Sequence, residues 1–323
     1  MRKIIDLIKK SSSIAILTHI SEDADALCSA AALFEILKDM NKNAVIYVND
    51  TPEDKLSFLD FEYTVYSEDM DIPEYDLCIC LDCGDLNRLG SRIEIFNKAK
   101  HTVNIDHHYT NPGYADENHI EGNSSSTGEI LYTFLKKLKR GLSDRVAMML
   151  YTAIVSDSGG FRYSNTSPKT LMIASELLKF DFEHAEICRM IFETEKREIV
   201  KFKGYVMENI HEYFDGKLCI AAADKSDYEK FEITEKDLGD LVNIPRTLKG
   251  CEIAVSVREG LTKTKISFRS NGRFDVSGLA ARFGGGGHKM AAGASMEDSV
   301  ENVEKKIVEV CSEMFFAVGG STK

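Results

Sequence analysis

Short apolar runs alternate with amphipathic stretches through the first half of the chain. Ile14 to Leu17, Ala44 to Val48, Leu77 to Leu81 and Thr102 to Ile105 read as strands, and Ala24 to Met40 reads as a helix with Leu27, Ala31, Phe34 and Leu37 on roughly one face. Strands alternating with helices imply an α/β fold built on a doubly wound, mostly parallel sheet. The unbroken apolar character of Leu77 to Leu81 fits a strand buried on both faces. Ser143 to Ser156 reads as an apolar helix, and another helix should begin near Thr166 to Pro168, where a hydroxyl cap precedes a proline. Glu183 to Phe214 is charged and reads as helical. From Lys217 the texture turns β-rich, with runs at Leu218 to Ala223, Glu252 to Val257 and Lys263 to Ser267, followed by F-G-G-G-G-H-K-M-A-A-G at Phe283 to Gly293. The division expected is an N-terminal α/β domain over residues 1–185, a helical connector over 186–214 and a smaller α/β domain over 215–323.

Chemistry collects at the ends of these elements. The first run is followed by T-H-I-S-E-D-A-D-A-L, which sets His19, Asp23 and Asp25 in an H-x-x-x-D-x-D spacing. Leu77 to Leu81 runs into Asp82, Thr102 to Ile105 runs into Asp106-His107-His108, and the helix ending at Ser156 delivers Asp157 into D-S-G-G-F-R-Y. Ligands of doubly wound sheets gather outside the carboxyl ends of the strands. Imidazole and carboxylate donors suit hard or borderline divalent cations, and packing offers no reason to put them at three strand ends. The pattern reads as a two-metal hydrolytic centre, with Asp82, after the central run, as the carboxylate both ions share. Asp85 stays open between ligand, cap and surface.

Composition narrows the partners. A formal net charge of -12 is the opposite of the basic footprint that grips long nucleic acid, so a nucleic-acid substrate should be small and held locally. No stretch approaches the ~20 apolar residues of a spanning helix, and Met1 to Lys10 is a charged amphipathic segment, so a cytoplasmic location is expected. Of the eight cysteines, Cys78, Cys80 and Cys83 lie in and just after a strand. Divided between its faces, they would be buried small hydrophobes rather than a zinc or iron–sulfur site. Disulfides are not expected in the cytosol.

The motifs resemble those of the DHH phosphoesterases. H-I-S-E-D-A-D at His19 to Asp25, L-D-C-G-D at Leu81 to Asp85, D-H-H at Asp106 to His108 and S-D-S-G-G-F at Ser156 to Phe161 are similar to that family's four motifs. R-S at Arg269-Ser270 and G-G-G-G-H at Gly284 to His288 resemble the DHH-associated C-terminal domain, so the likeness runs over about residues 13–295. By this resemblance, His19 and Asp23 with Asp82 hold one ion, and Asp25, His107 and Asp157 with Asp82 hold the other. Two manganese ions are expected, because mixed carboxylate and imidazole ligands suit that metal without a thiolate. Asp106 either ligates or orients an imidazole, and His108 contacts the scissile phosphate or protonates the leaving oxygen. Glycine backbone N–H groups can form an anion-binding concavity and arginine adds a bidentate partner. Arg269, Ser270, Gly285, Gly286, Gly287 and His288 are therefore the expected phosphate-binding residues. Arg246, Arg258 and Lys265 default to solvated surface charge, and Arg162 has no assigned partner.

Within the family, the size and two-domain content resemble the stand-alone bacterial members that act both as nanoRNase (oligoribonuclease) and as pAp phosphatase. The resemblance implies hydrolysis of very short 5′-phosphorylated RNA, such as pApA, to mononucleotides, and dephosphorylation of pAp. It implies no groove for long nucleic acid and no membrane partner, and a homodimer is compatible with it. A cyclic-dinucleotide phosphodiesterase acting on c-di-AMP is the alternative on the same domain content. Family pyrophosphatases should lack the G-G-G-G-H domain, and RecJ-type exonucleases should carry further ones. A non-catalytic nucleotide-binding protein on this scaffold is expected to have lost metal ligands, and none is missing here.

Overall fold

The structure, a computed structural model, describes residues 1–319 apart from Glu53, Arg140 and Asp240. It divides into two compact units, Met1–Thr194 and Glu195–Lys323.

The first unit contains α1 (Arg2–Lys10), β1 (Ser13–Leu17), α2 (Ala24–Asp39), β2 (Asn43–Val48), β3 (Thr64–Val65), β4 (Leu77–Leu81), α3 (Ile93–Lys98), β5 (Thr102–Asp106), β6 (Glu117–Ile120), α4 (Thr127–Lys137), α5 (Asp144–Asp157), α6 (Pro168–Leu177) and α7 (His184–Phe192). Among the described residues the strands form one sheet in the order β3-β2-β1-β4-β5-β6, and every pairing is parallel. The chain winds outward from β1 to β3, then returns to place β4 on the other side of β1. This reversal is the topological switch point at which such sheets open a crevice, and it lies between β1 and β4. The strands present alternate residues to two cores. Ile14, Ile16, Leu77, Ile79 and Leu81 face a core shared with α2, α4 and α5. Ala15, Leu17, Cys78 and Cys80 face a second core with Ile95 and Phe96 of α3. Cys78 and Cys80 therefore share a face instead of being divided between faces, because residues two apart on a strand point the same way, and Cys83 joins them in that apolar cluster.

Local signals set the helix starts. Ser143 accepts the N–H of Val146 at the head of α5, and Ser167 forms a capping box with Thr170 ahead of Pro168 at the head of α6. One buried cation ties the switch point together. Arg92, with no exposed surface, donates to Thr18 O at 3.1 Å, Tyr47 O at 2.8 Å and the Glu22 carboxylate at 2.8 Å. It thereby fixes the ends of β1 and β2 and the loop that carries His19.

The second unit contains α8 (Arg197–Glu208), β7 (His211–Tyr213), β8 (Leu218–Ala223), α9 (Lys225–Phe231), α10 (Asn243–Arg246), β9 (Ile253–Glu259), β10 (Thr264–Ser270), α11 (Val276–Ala281), β11 (Gly286–His288), β12 (Ala291–Met296) and α12 (Val300–Gly319). Its sheet runs β11-β12-β10-β9-β8-β7, parallel between β8 and β9 and antiparallel elsewhere. Residues 186–214, read from sequence as a connector, are divided between the two units. Ile187 of α7 packs in the first core, whereas Ile199, Phe202 and Val206 of α8 pack with Ala221 and Tyr228 in the second unit. The expected helix also stops short of residue 214. Asn209 caps α8, and residues 211–213 form an edge strand whose His211 and Tyr213 bond Glu304 at 2.6 and 2.9 Å. No described helix is long and apolar enough to cross a membrane.

Candidate metal centre

His19 follows β1 and Asp82 follows β4, so the two flank the switch point. Asp82 has φ +53°, a left-handed conformation that is costly for a non-glycine residue and concentrates at functional sites. Its carboxylate is 2% exposed and divides its oxygens. Oδ2 lies 3.5 Å from His19 Nε2, while Oδ1 lies 3.4 Å from His107 Nε2. Asp23 Oδ2 stands 3.7 Å from His19 Nε2 on the first side. Asp25 Oδ2 and Asp157 Oδ2 stand 3.9 and 3.8 Å from His107 Nε2 on the second. Among the described residues three groupings could hold an ion, His19-Asp23-Asp82, Asp25-His107-Asp157 and Asp82-His107-His108, and Asp82 belongs to the first and the last.

The two aspartates of the H-x-x-x-D-x-D motif are separated by a helix start rather than by a loop. Asp23 is the N-cap of α2, accepting the Ala26 N–H, and Asp25 lies in the first turn. Asp25 is held from across the unit. Its Oδ2 accepts the N–H of Thr127 at 2.7 Å, and its Oδ1 accepts the N–H of Gly128 at 3.0 Å and the Ser29 hydroxyl at 3.2 Å. The open N-terminus of α4 thus aims this carboxylate. Gly128 lets α4 pack closely on α5, because a Cβ there would sit 2.5 Å from Ala153 Cβ. Thr127 Oγ1 donates to Asp82 Oδ1 at 3.0 Å, so one helix start orients both carboxylates.

The imidazoles are oriented from behind. His19 Nδ1 donates to Ile20 O at 2.8 Å and His107 Nδ1 to Ser124 O at 3.4 Å, which leaves each Nε2 for the carboxylate side. His108 Nδ1 donates to Asp106 Oδ1 at 2.8 Å but lies 3.8 Å from Asp82 Oδ1. The short bond commits that nitrogen to Asp106, which orients His108 and itself lies outside all three groupings. Asn111 steadies Asp106 by donating to Oδ2 at 2.6 Å. Gly84 lets the ring in, since a Cβ there would be 2.9 Å from His108 Cβ.

The electrostatics of the cluster call for cations. Burial opposes protonation of His19, but the carboxylates of Asp23 and Asp82 beside it outweigh it and push its pKa up to about 10. Burial likewise opposes protonation of His107, yet the carboxylates of Asp82, Asp25 and Asp157 raise it to about 10. Burial, with Asp82 and Asp23 nearby, lifts Asp157 to about 6. Burial and the Asp82 charge raise Asp25 as well, whereas for Asp82 the two imidazoles overcome burial and hold it low. Protons are thus gathered where positive charge is needed. Two donors about 2.1 Å from one ion are separated by roughly 3–4.2 Å, and the 3.4–3.9 Å separations here fall in that range. The oxygen and nitrogen donors fit a pair of hard or borderline divalent ions.

In the second unit, Arg269 on β10 and His288 on β11 both pair with Ala291 of β12. They occupy one row across three strands and so share a face of the sheet. Ser270 is fully buried, and its hydroxyl accepts the Gly272 N–H at 3.1 Å. It braces the turn after β10. The glycine run is partly a strand, Gly286–His288. A Cβ at Gly285 or Gly287 would lie 2.1 Å from Gly293 O or 2.6 Å from Ala292 Cα, so close approach to β12 accounts for those two glycines, while Gly286 stands in open space. Lys265 pairs with Glu235 and Arg246 bonds Asn271 at the surface, whereas Arg258, read as solvated surface charge, is mostly buried, donating to Leu238 O and pairing with Glu235. Arg162 lies over the Phe192 ring. Asp85 caps the short helical turn at residues 86–92.

Sequence reasoning passed over Thr127, Gly128, Asn165 and Arg88. Asn165 Nδ2 donates to Asp157 O at 3.1 Å. The exposed Arg88 guanidinium stands against His19, Nη2 lying 3.0 Å from Nδ1 and 3.4 Å from Ile20 O. T-G directly after three serines was the available signal for α4, since such runs favour helix starts.

Comparison with known proteins agrees with this geometry. The family description "DHH family, N-terminal domain" matches residues 13–154, and "DHHA1 domain" matches residues 215–315. A Bacillus subtilis protein named bifunctional oligoribonuclease and PAP phosphatase NrnA is 29% identical over 316 residues, spanning 96% of this chain and 98% of its own. A protein of the same name from Thermus thermophilus is 28% identical, over 99% and 95%. The crystal structure of an exopolyphosphatase-related protein from Bacteroides fragilis superposes with a TM-score of 0.89 at 26% identity, covering 97% of this chain and 98% of that one. With both domains matched in order and relatives similar from end to end, the chain belongs to the DHH family and carries a DHHA1 domain over residues 215–315.

Proposed function

We propose that the chain is a hydrolase that cleaves very short 5′-phosphorylated RNA, such as pApA, to mononucleotides and dephosphorylates pAp. Membership of a metal-dependent phosphoesterase family and the names of its near-full-length relatives support the reading. The observation that carries it is the divided Asp82 carboxylate, one oxygen 3.5 Å from His19 and the other 3.4 Å from His107. His19, Asp23 and Asp82 would hold one divalent ion, and Asp82, Asp25, His107 and Asp157 the other, with manganese as the physiological metal. Such a pair activates water and neutralises charge on the phosphate oxygens. His108, oriented by Asp106, delivers a proton to the departing oxygen or steadies the phosphate. Arg269 and His288 bind the terminal phosphate of a short substrate, and the net charge of -12 works against long strands. All eight cysteines are free, which supports a reducing, cytoplasmic setting.

The test is a substrate panel with added manganese: pAp, pApA, ApA, c-di-AMP and a twenty-residue RNA. Wild type should turn over pAp and pApA, act poorly on ApA and the long RNA, and lose the preference for pApA over ApA in Arg269→Ala. A rate on c-di-AMP above that on pApA would favour the cyclic-dinucleotide reading. No release of phosphate or mononucleotide from any member would refute both.

A further inference from the structure

We propose that Tyr109 is the platform on which the substrate's nucleobase stacks, an inference that rests on the reading of the substrate as a nucleotide. Tyr109 directly follows the His107-His108 pair and is 84% exposed, the most exposed aromatic among the described residues. A lone exposed apolar residue needs no explanation, but this one is fixed with unusual care. Its turn is closed by Asn111 N donating to His108 O at 3.1 Å. The Asn111 side chain reaches Asp106 Oδ2 at 2.6 Å and Asn104 Oδ1 at 2.7 Å. On the other side Tyr109 presses on Gly122, where a Cβ would lie 3.1 Å from both Tyr109 Cα and Cδ2. The loop carrying Gly122 continues to Ser124, which accepts from His107, and to Thr127, which donates to Asp82. The Tyr109 backbone is therefore held between the two segments that carry the candidate ligands, while most of its side chain is left to solvent.

An exposed aromatic on a fixed turn directly after the candidate ligands matches the face of a purine or pyrimidine. Stacking needs no positive charge, so it suits an acidic protein, and it tolerates any base. Its loss by alanine substitution commonly costs about 5- to 150-fold in affinity.

The chain contains no tryptophan, so Tyr109→Trp supplies a single reporter. In magnesium, titration with AMP should quench its emission saturably, whereas ribose 5-phosphate at equal occupancy should not. In parallel, Tyr109→Ala should raise KM for pAp by about 5- to 150-fold with kcat changed less than about threefold, and should leave KM for the base-less analogue ribose 3,5-bisphosphate as in wild type. Tyr109→Phe, which keeps the ring, should restore KM for pAp. An equal loss on pAp and the base-less analogue, or no loss on pAp together with no AMP-specific quenching, would overturn the stacking role. Failure of wild type to cleave pAp would instead refute the functional reading, and the AMP titration would still decide whether a base stacks here.

Discussion

The Asp25 carboxylate accepts the backbone N–H of Thr127 at 2.7 Å, across 102 residues of sequence. A carboxylate that faces His107 thereby also accepts the first two N–H groups of α4, whose N-cap is Ser126. Candidate metal site and fold share this residue, and a change there should be felt by both.

Asp25→Asn should show the coupling. The amide offers one acceptor where the helix start presents two N–H donors, so its NH2 group must face a donor. We expect a loss of about 1–3 kcal/mol in stability and loss of one of two bound cations. Urea denaturation of the metal-free variant and metal analysis of the loaded one measure the two effects. A variant with wild-type stability and full metal content would separate Asp25 from both roles.

The His108–Asp106 pair predicts an effect on rate without an effect on metal. Because Nδ1 is committed to Asp106 at 2.8 Å, His108→Ala should lower kcat by about 10²–10⁴-fold while metal content stays unchanged. Asp106→Asn should lower kcat by a smaller factor, since it loosens the ring without removing it. Metal analysis and steady-state kinetics on pAp decide this. Loss of a metal ion in His108→Ala would make His108 a ligand.

Proton linkage gives a further expectation. In the metal-free chain His19 and His107 titrate near 10, above the ordinary imidazole value of about 6.5. Their contribution to stability is full below about 6.5 and lost as pH rises through about 10. Thermal stability in a chelator should therefore fall between pH 7 and 10, and much less so with metal bound. Loading at pH 7 should release close to two protons, because both imidazoles must be neutral to ligate. Calorimetry in buffers of different ionisation enthalpy counts them, and metal uptake without proton release would contradict the assignment.

The parallel sheet and the gathering of acids and imidazoles at its edge were legible because apolar runs ending in acid or imidazole are local signals. His19, Asp82 and Asp106 each stand at the end of such a run. What holds them was not legible, because it depends on contacts far apart in sequence. Nothing near Arg92 announces that it ties Thr18 to Tyr47, and nothing near Thr127 announces that it meets Asp25. The division of residues 186–214 was hidden for the same reason, since α7 and α8 are similarly amphipathic and only packing assigns Ile187 to one core and Phe202 to another. The burial of Ser270 was not legible because motif position does not report it, and the close approach of β12 to Gly285 and Gly287 was not legible because it depends on a strand that lies beyond the glycine run.

The central claim is that Asp82 serves two cations at once, and Asp82→Asn tests it most directly. Wild type and variant are stripped with chelator, reloaded with manganese, and compared for metal stoichiometry and pAp hydrolysis, with circular dichroism as the control for folding. The account predicts two ions per wild-type chain, and in the folded variant fewer than two, with turnover lower by a factor of about 10³ or more. A folded variant that holds two ions and hydrolyses pAp at the wild-type rate would contradict it.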